Sequence, residues 1–194
     1  SGADPRHLKV TGEKEFLGRG LSYCSICDGA LFPDKTVAVI GGGNSGFEAA
    51  IFLSEIAKKI YILEYGGKVK ADELNREIVK EIKKVEIITS AALKEIKGDK
   101  FVKAIVYQDR KTSKEKTLSV AGVFVEIGSQ PATAFLKELA DFNEKNEIII
   151  DPKTNMTRTP GLFAAGDVTN VKWKQIVVAA GEGCKAALSA YGYL

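Results

Sequence analysis

Two cysteines, Cys24 and Cys27, stand two residues apart in the run Cys24-Ser25-Ile26-Cys27-Asp28-Gly29. At that spacing the sulfurs can close a small ring that is readily reduced, and in a cytosolic chain this reads as a redox pair rather than a structural staple. Zinc is the rival, but a tetrahedral site needs four ligands. Beyond the pair only Cys184 and the single histidine, His7, remain, and neither has ligand spacing. Asp28 adjoins the pair and could exchange a proton with a departing thiolate. An ordinary turn aspartate ahead of Gly29 is a fair alternative. Cys184 lies among the small residues of Gly181 to Ala187 and is expected to be a buried small hydrophobe. His7 has no partner motif and is given no role.

The run Gly41-Gly42-Gly43-Asn44-Ser45-Gly46 fits G-x-G-x-x-G and directly follows the apolar run Thr36 to Ile40. Gly41 permits a tight turn, Gly43 lets a pyrophosphate approach the backbone, and Gly46 lets a helix pack closely on the strand. The phosphates would face that helix's N-terminus, at Asn44 and Ser45. A glycine pattern alone is weak, but the strand before it and the helical spacing after it are the context the motif requires. Glu64 closes the next apolar run, 18 residues beyond Gly46. A carboxylate there accepts hydrogen bonds from an adenosine ribose and repels a 2′-phosphate, which points to NADH over NADPH. Lys68 and Lys70 follow closely and would partly offset that repulsion; a solvated strand end is the plainer alternative for Glu64. A third run, Gly161 to Ala165, delivers Gly166 and Asp167, with Lys174-Gln175-Ile176 shortly after. An acidic residue at the carboxyl end of a strand suggests a ligand site, and a helix starting near Gln175 would present free N–H groups.

These residues need elements to hold them. Thr36 to Ile40, the glycine turn, a helix bearing Phe47, Ala50 and Ile51, and the strand Ile60 to Leu63 make a βαβ unit. A helix is expected from about Asp72 to Lys84, burying Leu74, Ile78 and Ile82, followed by a strand at Val85 to Ile88. Ala92 to Lys97, Phe101 to Gln108 and Thr117 to Val125 show strand alternation and are expected to form a small antiparallel layer. Beyond Gly128-Ser129-Gln130-Pro131 the pattern gives a helix, strands at Glu147 to Ile150 and Gly161 to Ala165, and a last helix from about Gln175 to Tyr191. The fold class is therefore α/β: a Rossmann-like nucleotide-binding domain with a parallel sheet and an antiparallel layer, beside part of a second domain.

The 194 residues, 45% of them apolar, suffice for a real core. A net charge of +3 without a clustered basic stripe gives no sign of nucleic-acid binding. No apolar run approaches a membrane span and no signal peptide is visible, so a cytoplasmic protein with no membrane partner is expected.

In order and content these motifs resemble the low-molecular-weight thioredoxin reductase family, on the branch of the alkyl hydroperoxide reductase flavoproteins. The resemblance rests on Ser22 to Gly29, on Gly41 to Gly46 with Leu63-Glu64, and on Gly161 to Asp167 with Lys174-Gln175-Ile176, and it spans essentially the whole chain. Thioredoxin reductases proper typically carry a His-Arg-Arg cluster where Glu64-Tyr65-Gly66 stands here; this departure favours the peroxide-reductase branch and NADH. The resemblance implies a nicotinamide domain, residues 8–125 with the cysteine pair, inserted into an FAD domain represented by residues 1–7 and 126–194. It implies FAD contacts at Gly166 and Asp167 for the ribityl and phosphate region, and at Lys174, Gln175 and Ile176 for the ring. Gly128 is also taken as cofactor-binding. It implies that Cys27 is the flavin-proximal thiol, Cys24 the interchange thiol and Asp28 the acid–base group. It further implies a homodimer that reduces a thioredoxin-like or peroxiredoxin-linked dithiol protein. The family's first glycine motif, for the FAD pyrophosphate, is not in these residues, so the rest of the FAD domain is expected on a preceding segment or separate chain. The alternative is a dinucleotide-binding module that holds NADH and is inactive without that other half. A redox-switched interaction protein without flavin is a third reading, and it leaves the Asp167 motif unexplained.

Overall fold

A computed structural model describes residues 1–136 and 138–194. Its elements run β1 (Ala3–Pro5), α1 (Glu13–Phe16), β2 (Leu21–Ser22), α2 (Ser25–Asp28), β3 (Thr36–Ile40), α3 (Asn44–Ser54) and β4 (Lys59–Leu63). They continue with α4 (Glu73–Glu81), β5 (Val85–Ile88), β6 (Ala91–Gly98), β7 (Val102–Asp109), β8 (Glu115–Ser119), β9 (Gly122–Val125), β10 (Ser129–Pro131) and α5 (Ile176–Tyr193). The chain divides into two units, His7–Gly128 and Ser1–Arg6 with Ser129–Leu194.

In the unit His7–Gly128, five parallel strands lie in the order β2-β9-β3-β4-β5. Alternation along β3 explains why its run is apolar throughout. Val37 and Val39 pack with Phe47, Leu53 and Phe124 on one face; Ala38 and Ile40 pack with Leu63, Ile105 and Val123 on the other. Covering both faces of a parallel sheet removes the need for a polar side. The antiparallel strands β6-β7-β8 supply Ile96, Ile105 and Tyr107 to the second face.

The expected strand Thr117 to Val125 is two strands in two sheets, which corrects that reading. β8 pairs antiparallel with β7, whereas β9 enters the parallel sheet between β2 and β3. Burial marks the difference: β8 is mostly exposed and β9 is buried throughout. At the junction, a Cβ on Gly122 would come within 2.5 Å of the Phe32 ring. The buried face expected for α4 is also corrected. Leu74 is 67% exposed and Ile78 39%, and Val79 at 2% makes the core contact. Asp72 caps this helix by accepting the Asn75 N–H at 2.8 Å, and the helix ends at Glu81, short of the expected Lys84.

The unit Ser1–Arg6 with Ser129–Leu194 pairs β1 antiparallel with β10. Its core is small: Ala140, Ile148, Ile150 and Val168. Neither strand expected here forms a ladder. Ile148 makes single bridges to Phe142 and Thr169, and Phe163 makes one to Met156. An apolar run becomes a parallel strand only where a neighbouring strand satisfies its backbone groups, and within this unit each finds only isolated bridges. The helix expected after Pro131 falls partly outside the described residues; Ala134–Leu136 forms a short 3-10 turn. The 18 residues of α5 include none that is buried, and Cys184 is exposed, contrary to the buried hydrophobe expected.

Candidate redox and nucleotide site

Because β2, β9, β3, β4 and β5 are parallel, their carboxyl ends share one edge of the sheet. On that edge lie the cysteine turn after β2, Glu126 after β9, the glycine turn after β3 and Glu64 after β4. Carboxyl-end crevices of such sheets are where α/β folds bind ligands.

Cys24 and Cys27 form a disulfide with their Cα atoms 5.3 Å apart. Ser22 fixes the entry to this turn: its hydroxyl accepts the Cys24 N–H at 3.0 Å and donates to the Cys24 carbonyl at 3.2 Å. Cys24 occupies the cap position of α2, where its sulfur accepts the Cys27 N–H at 3.1 Å. Cys24 Sγ thus has a backbone N–H donor aimed at it. Cys27 is exposed, Cys24 partly buried and Asp28 partly buried at the end of α2. Behind the turn, a Cβ on Gly29 would come within 2.9 Å of Phe52 on α3, which holds the turn against that helix.

At the glycine turn, Gly41 adopts a φ of 126°, and a Cβ there would lie 2.3 Å from the Glu126 carbonyl oxygen. A Cβ on Gly46 would lie 1.9 Å from the carbonyl oxygen of Gly41, whereas around Gly43 the space is open. These are the close approaches that a glycine turn at a helix start serves. Gly42, assigned no role from sequence, is also constrained: its N–H donates to Glu64 Oε2 at 2.8 Å, and a Cβ there would meet that carboxylate. The other oxygen of Glu64 accepts the Gly66 N–H at 2.6 Å. Glu64 is thus a strap between two turns, with lone pairs left over. Asn44 uses its side-chain oxygen to accept the Asp72 N–H at 2.8 Å, while Ser45 is exposed.

Two groups near the cysteines carry no sequence motif. Glu126 is partly buried, and burial pushes its carboxyl up to about 7, against hydrogen bonds from the Ser25 hydroxyl and backbone N–H and with help from Glu48. Its one sequence signal is a lone charge closing the apolar run Gly122 to Val125. Such a carboxyl holds its proton in the folded state at pH values where the unfolded chain has lost it, from about 4.5 up to about 7. Stability therefore falls as pH rises through that window. The Glu126→Gln variant is expected to match the wild type in urea titrations at pH 4 and to exceed it at pH 8; equal stability at both would contradict the burial argument. The second group is Glu13, which accepts from Tyr23 Oη at 2.6 Å and from the N–H groups of Leu8 and Lys9; Tyr23 Oη also lies 2.8 Å from His7 Nδ1. Burial and Glu13 raise the Tyr23 hydroxyl's pKa far above a free phenol's. This network braces the segment leading into Cys24, and His7 takes part in it although no motif marks that residue.

In the other unit, Gly166 has a φ of 77° and Asp167 is partly buried in the 3-10 turn Gly166–Val168. Lys174 is committed locally, donating to the Thr169 carbonyl and pairing with Glu147 at 3.0 Å. Gln175 caps α5 without a side-chain bond. Ile176 is 91% exposed, Val177 77% and Trp173 60%, so an apolar surface borders the free first-turn N–H groups. The fully buried Asn155 donates to the Ala164 carbonyl at 3.1 Å and to Glu182 of α5 at 2.6 Å, and its Oδ1 has no partner. Gly128 is exposed with a φ of 91°. No cluster of three or more potential metal ligands occurs among the described residues, and no helix among them is long and apolar enough to cross a membrane.

A dinucleotide-type glycine turn and a two-residue-spaced disulfide thus lie on one sheet edge. The family model described as pyridine nucleotide-disulphide oxidoreductase matches residues 1–183, and the chain belongs to that family. An alkyl hydroperoxide reductase component from Staphylococcus aureus (strain MRSA252) is 43% identical over 194 residues, and its counterpart from Pseudomonas aeruginosa (strain PAO1) is 46% identical over 195. The alignments cover all of this chain but only 38% and 37% of those proteins. Among solved structures, thioredoxin reductase from Giardia duodenalis matches with a TM-score of 0.94 at 37% identity, and that from Streptococcus pyogenes MGAS5005 with 0.92 at 35%. In both cases the match covers the whole of this chain and 63% of the other.

Proposed function

We propose that the chain carries the nicotinamide-binding unit and redox disulfide of a flavin-dependent disulfide reductase, in which electrons from NADH reach Cys24–Cys27 and then a protein disulfide. The observation that carries this reading is the placement of the disulfide and the glycine turn on the ends of β2 and β3, with only β9 between them. In this reading the glycine turn and the start of α3 hold the dinucleotide pyrophosphate. Glu64 orients the adenosine ribose. Gly166, Asp167, Lys174, Gln175 and Ile176 would hold FAD, with the exposed apolar surface at the start of α5 suited to a planar ring. FAD, when bound, would supply two-electron redox chemistry.

Reduction opens the disulfide to two thiols. Cys24, stabilised as a thiolate by the Cys27 N–H, attacks a disulfide of the partner and forms a mixed disulfide. Cys27 then attacks Cys24, reforming the internal bond and releasing the partner as a dithiol. Asp28 delivers or removes the proton at the thiol that leaves. The partner in this reading is a thioredoxin-like or peroxiredoxin-linked dithiol protein in the cytoplasm, and the enzyme is a homodimer.

The visible spectrum tests the flavin half: flavin absorbance retained by the protein after FAD is added and excess removed supports it. A colourless protein that still binds NADH favours instead a dinucleotide-binding module that needs a further FAD-domain segment. Glu64→Gln tests the coenzyme half. Removing a carboxylate close to the 2′ position should narrow the ratio of NADPH to NADH dissociation constants by roughly tenfold. An unchanged ratio would remove the ribose contact.

A further inference from the structure

Tyr65 follows Glu64 directly and is 62% exposed at the sheet's ligand-binding edge. It is not free to swing. The Arg110 guanidinium lies 4.0 Å from the ring centroid, and Arg110 Nη1 donates to the Tyr65 carbonyl at 3.0 Å. Arg110 is itself anchored, because its N–H donates to the Ser90 carbonyl at 2.8 Å, and the Ser90 N–H donates to the Gly66 carbonyl at 2.7 Å. Through the Gly66 N–H on Glu64, one chain of hydrogen bonds ties the stacked pair to the glycine turn. The neighbouring carboxylate, Asp109, is engaged by Lys116 at 3.1 Å, and no carboxylate pairs with Arg110 among the described residues.

An exposed cation–aromatic pair stabilises a fold only weakly, which makes stability a poor account of a residue held at its ring and at its backbone carbonyl by one arginine yet left 62% exposed. A purine explains it better. Adenine is joined by a single glycosidic bond to the ribose that Glu64 would hold, which brings the base within reach of the exposed residue next to Glu64. We propose that Tyr65, locked by Arg110, is the platform on which the adenine ring of the dinucleotide stacks. This rests on the dinucleotide reading of the glycine turn and adds to it the recognition of the base. Arg110 is a positioning residue that acts through Tyr65.

Calorimetric binding of three probes, NADH, ADP-ribose and reduced nicotinamide mononucleotide, tests this in the full chain. Base–aromatic stacking is worth about 1–3 kcal/mol, so Tyr65→Ala is expected to weaken NADH and ADP-ribose by about fivefold to a hundredfold. The mononucleotide, which has no adenine, should bind as before. Tyr65→Phe should retain wild-type affinity, and Arg110→Ala should weaken ADP-ribose less than Tyr65→Ala does. Wild-type affinity of Tyr65→Ala for ADP-ribose overturns the platform while leaving the glycine-turn reading intact. Failure of the unaltered chain to bind ADP-ribose or NADH overturns both.

Discussion

A Cys27→Ser variant is expected to lose turnover of a protein disulfide by roughly three orders of magnitude or more, the scale of removing a covalent participant, while NADH still reduces the bound flavin. It should also form a stable covalent complex with an oxidised dithiol protein. Both expectations follow from the turn. The Cys27 backbone N–H, which points at Cys24 Sγ at 3.1 Å, survives the substitution, so Cys24 remains an activated thiolate. What disappears is the second sulfur that resolves the mixed disulfide. A Cys24→Ser variant should be equally inactive but trap nothing, since Cys27 lacks that N–H partner. A non-reducing gel separates the two. Trapping by Cys24→Ser in place of Cys27→Ser would reverse the assigned roles, and loss of flavin reduction in both would mean that the pair does more than relay electrons.

The second large effect is at Gly46. A Cβ there would sit 1.9 Å from the Gly41 carbonyl oxygen, backbone against side chain, with no flexible group able to yield. Gly46→Ala must therefore push the start of α3 away from β3, in the part of the core that buries Phe47 and Leu53 completely. Overpacking of this kind costs about 1–3 kcal/mol, and the displaced turn should weaken NADH binding by more than about tenfold, the ratio that corresponds to 1.4 kcal/mol. Gly183 provides the contrast. It lies inside α5 with nothing near a Cβ position, so Gly183→Ala should stabilise by about 0.5–1 kcal/mol through helix propensity alone. Denaturation midpoints and NADH titrations of the two variants check both. A Gly46→Ala protein with wild-type affinity would mean that the turn does not hold the coenzyme.

The unit His7–Gly128 is largely legible in sequence because its signals are local and redundant. Thr36 to Ile40, the glycines and Glu64 each imply the same βαβ arrangement, and the covering of both faces of β3 requires the continuous apolar run that is seen. Thr117 to Val125 misleads because two adjacent strands with different neighbours share one stretch of strand-forming residues. The change from an alternating to a continuous apolar pattern at Gly122 is the available cue. The α4 face is ambiguous because its amphipathic pattern does not say which stripe the sheet covers, and Val79 rather than Leu74 or Ile78 faces it. Glu126 is hidden because a charge at a strand end looks solvated until the parallel order brings Ser25 against it. In the other unit the apolar runs Glu147 to Ile150 and Gly161 to Ala165 are plain in sequence, yet a ladder depends on distant partners that composition does not report. The exposure of Cys184 has the same origin, in a helix none of whose residues is fully buried within the unit.

The most direct measurement of the central claim is anaerobic thiol alkylation read by peptide mass spectrometry, after NADH is added to the FAD-loaded protein. Electron flow through the pair predicts alkyl groups on both Cys24 and Cys27 in proportion to NADH oxidised, with Cys184 alkylated whether or not NADH is present. NADH oxidised while Cys24 and Cys27 remain protected, in a protein whose pair becomes alkylated after dithiothreitol, would contradict it.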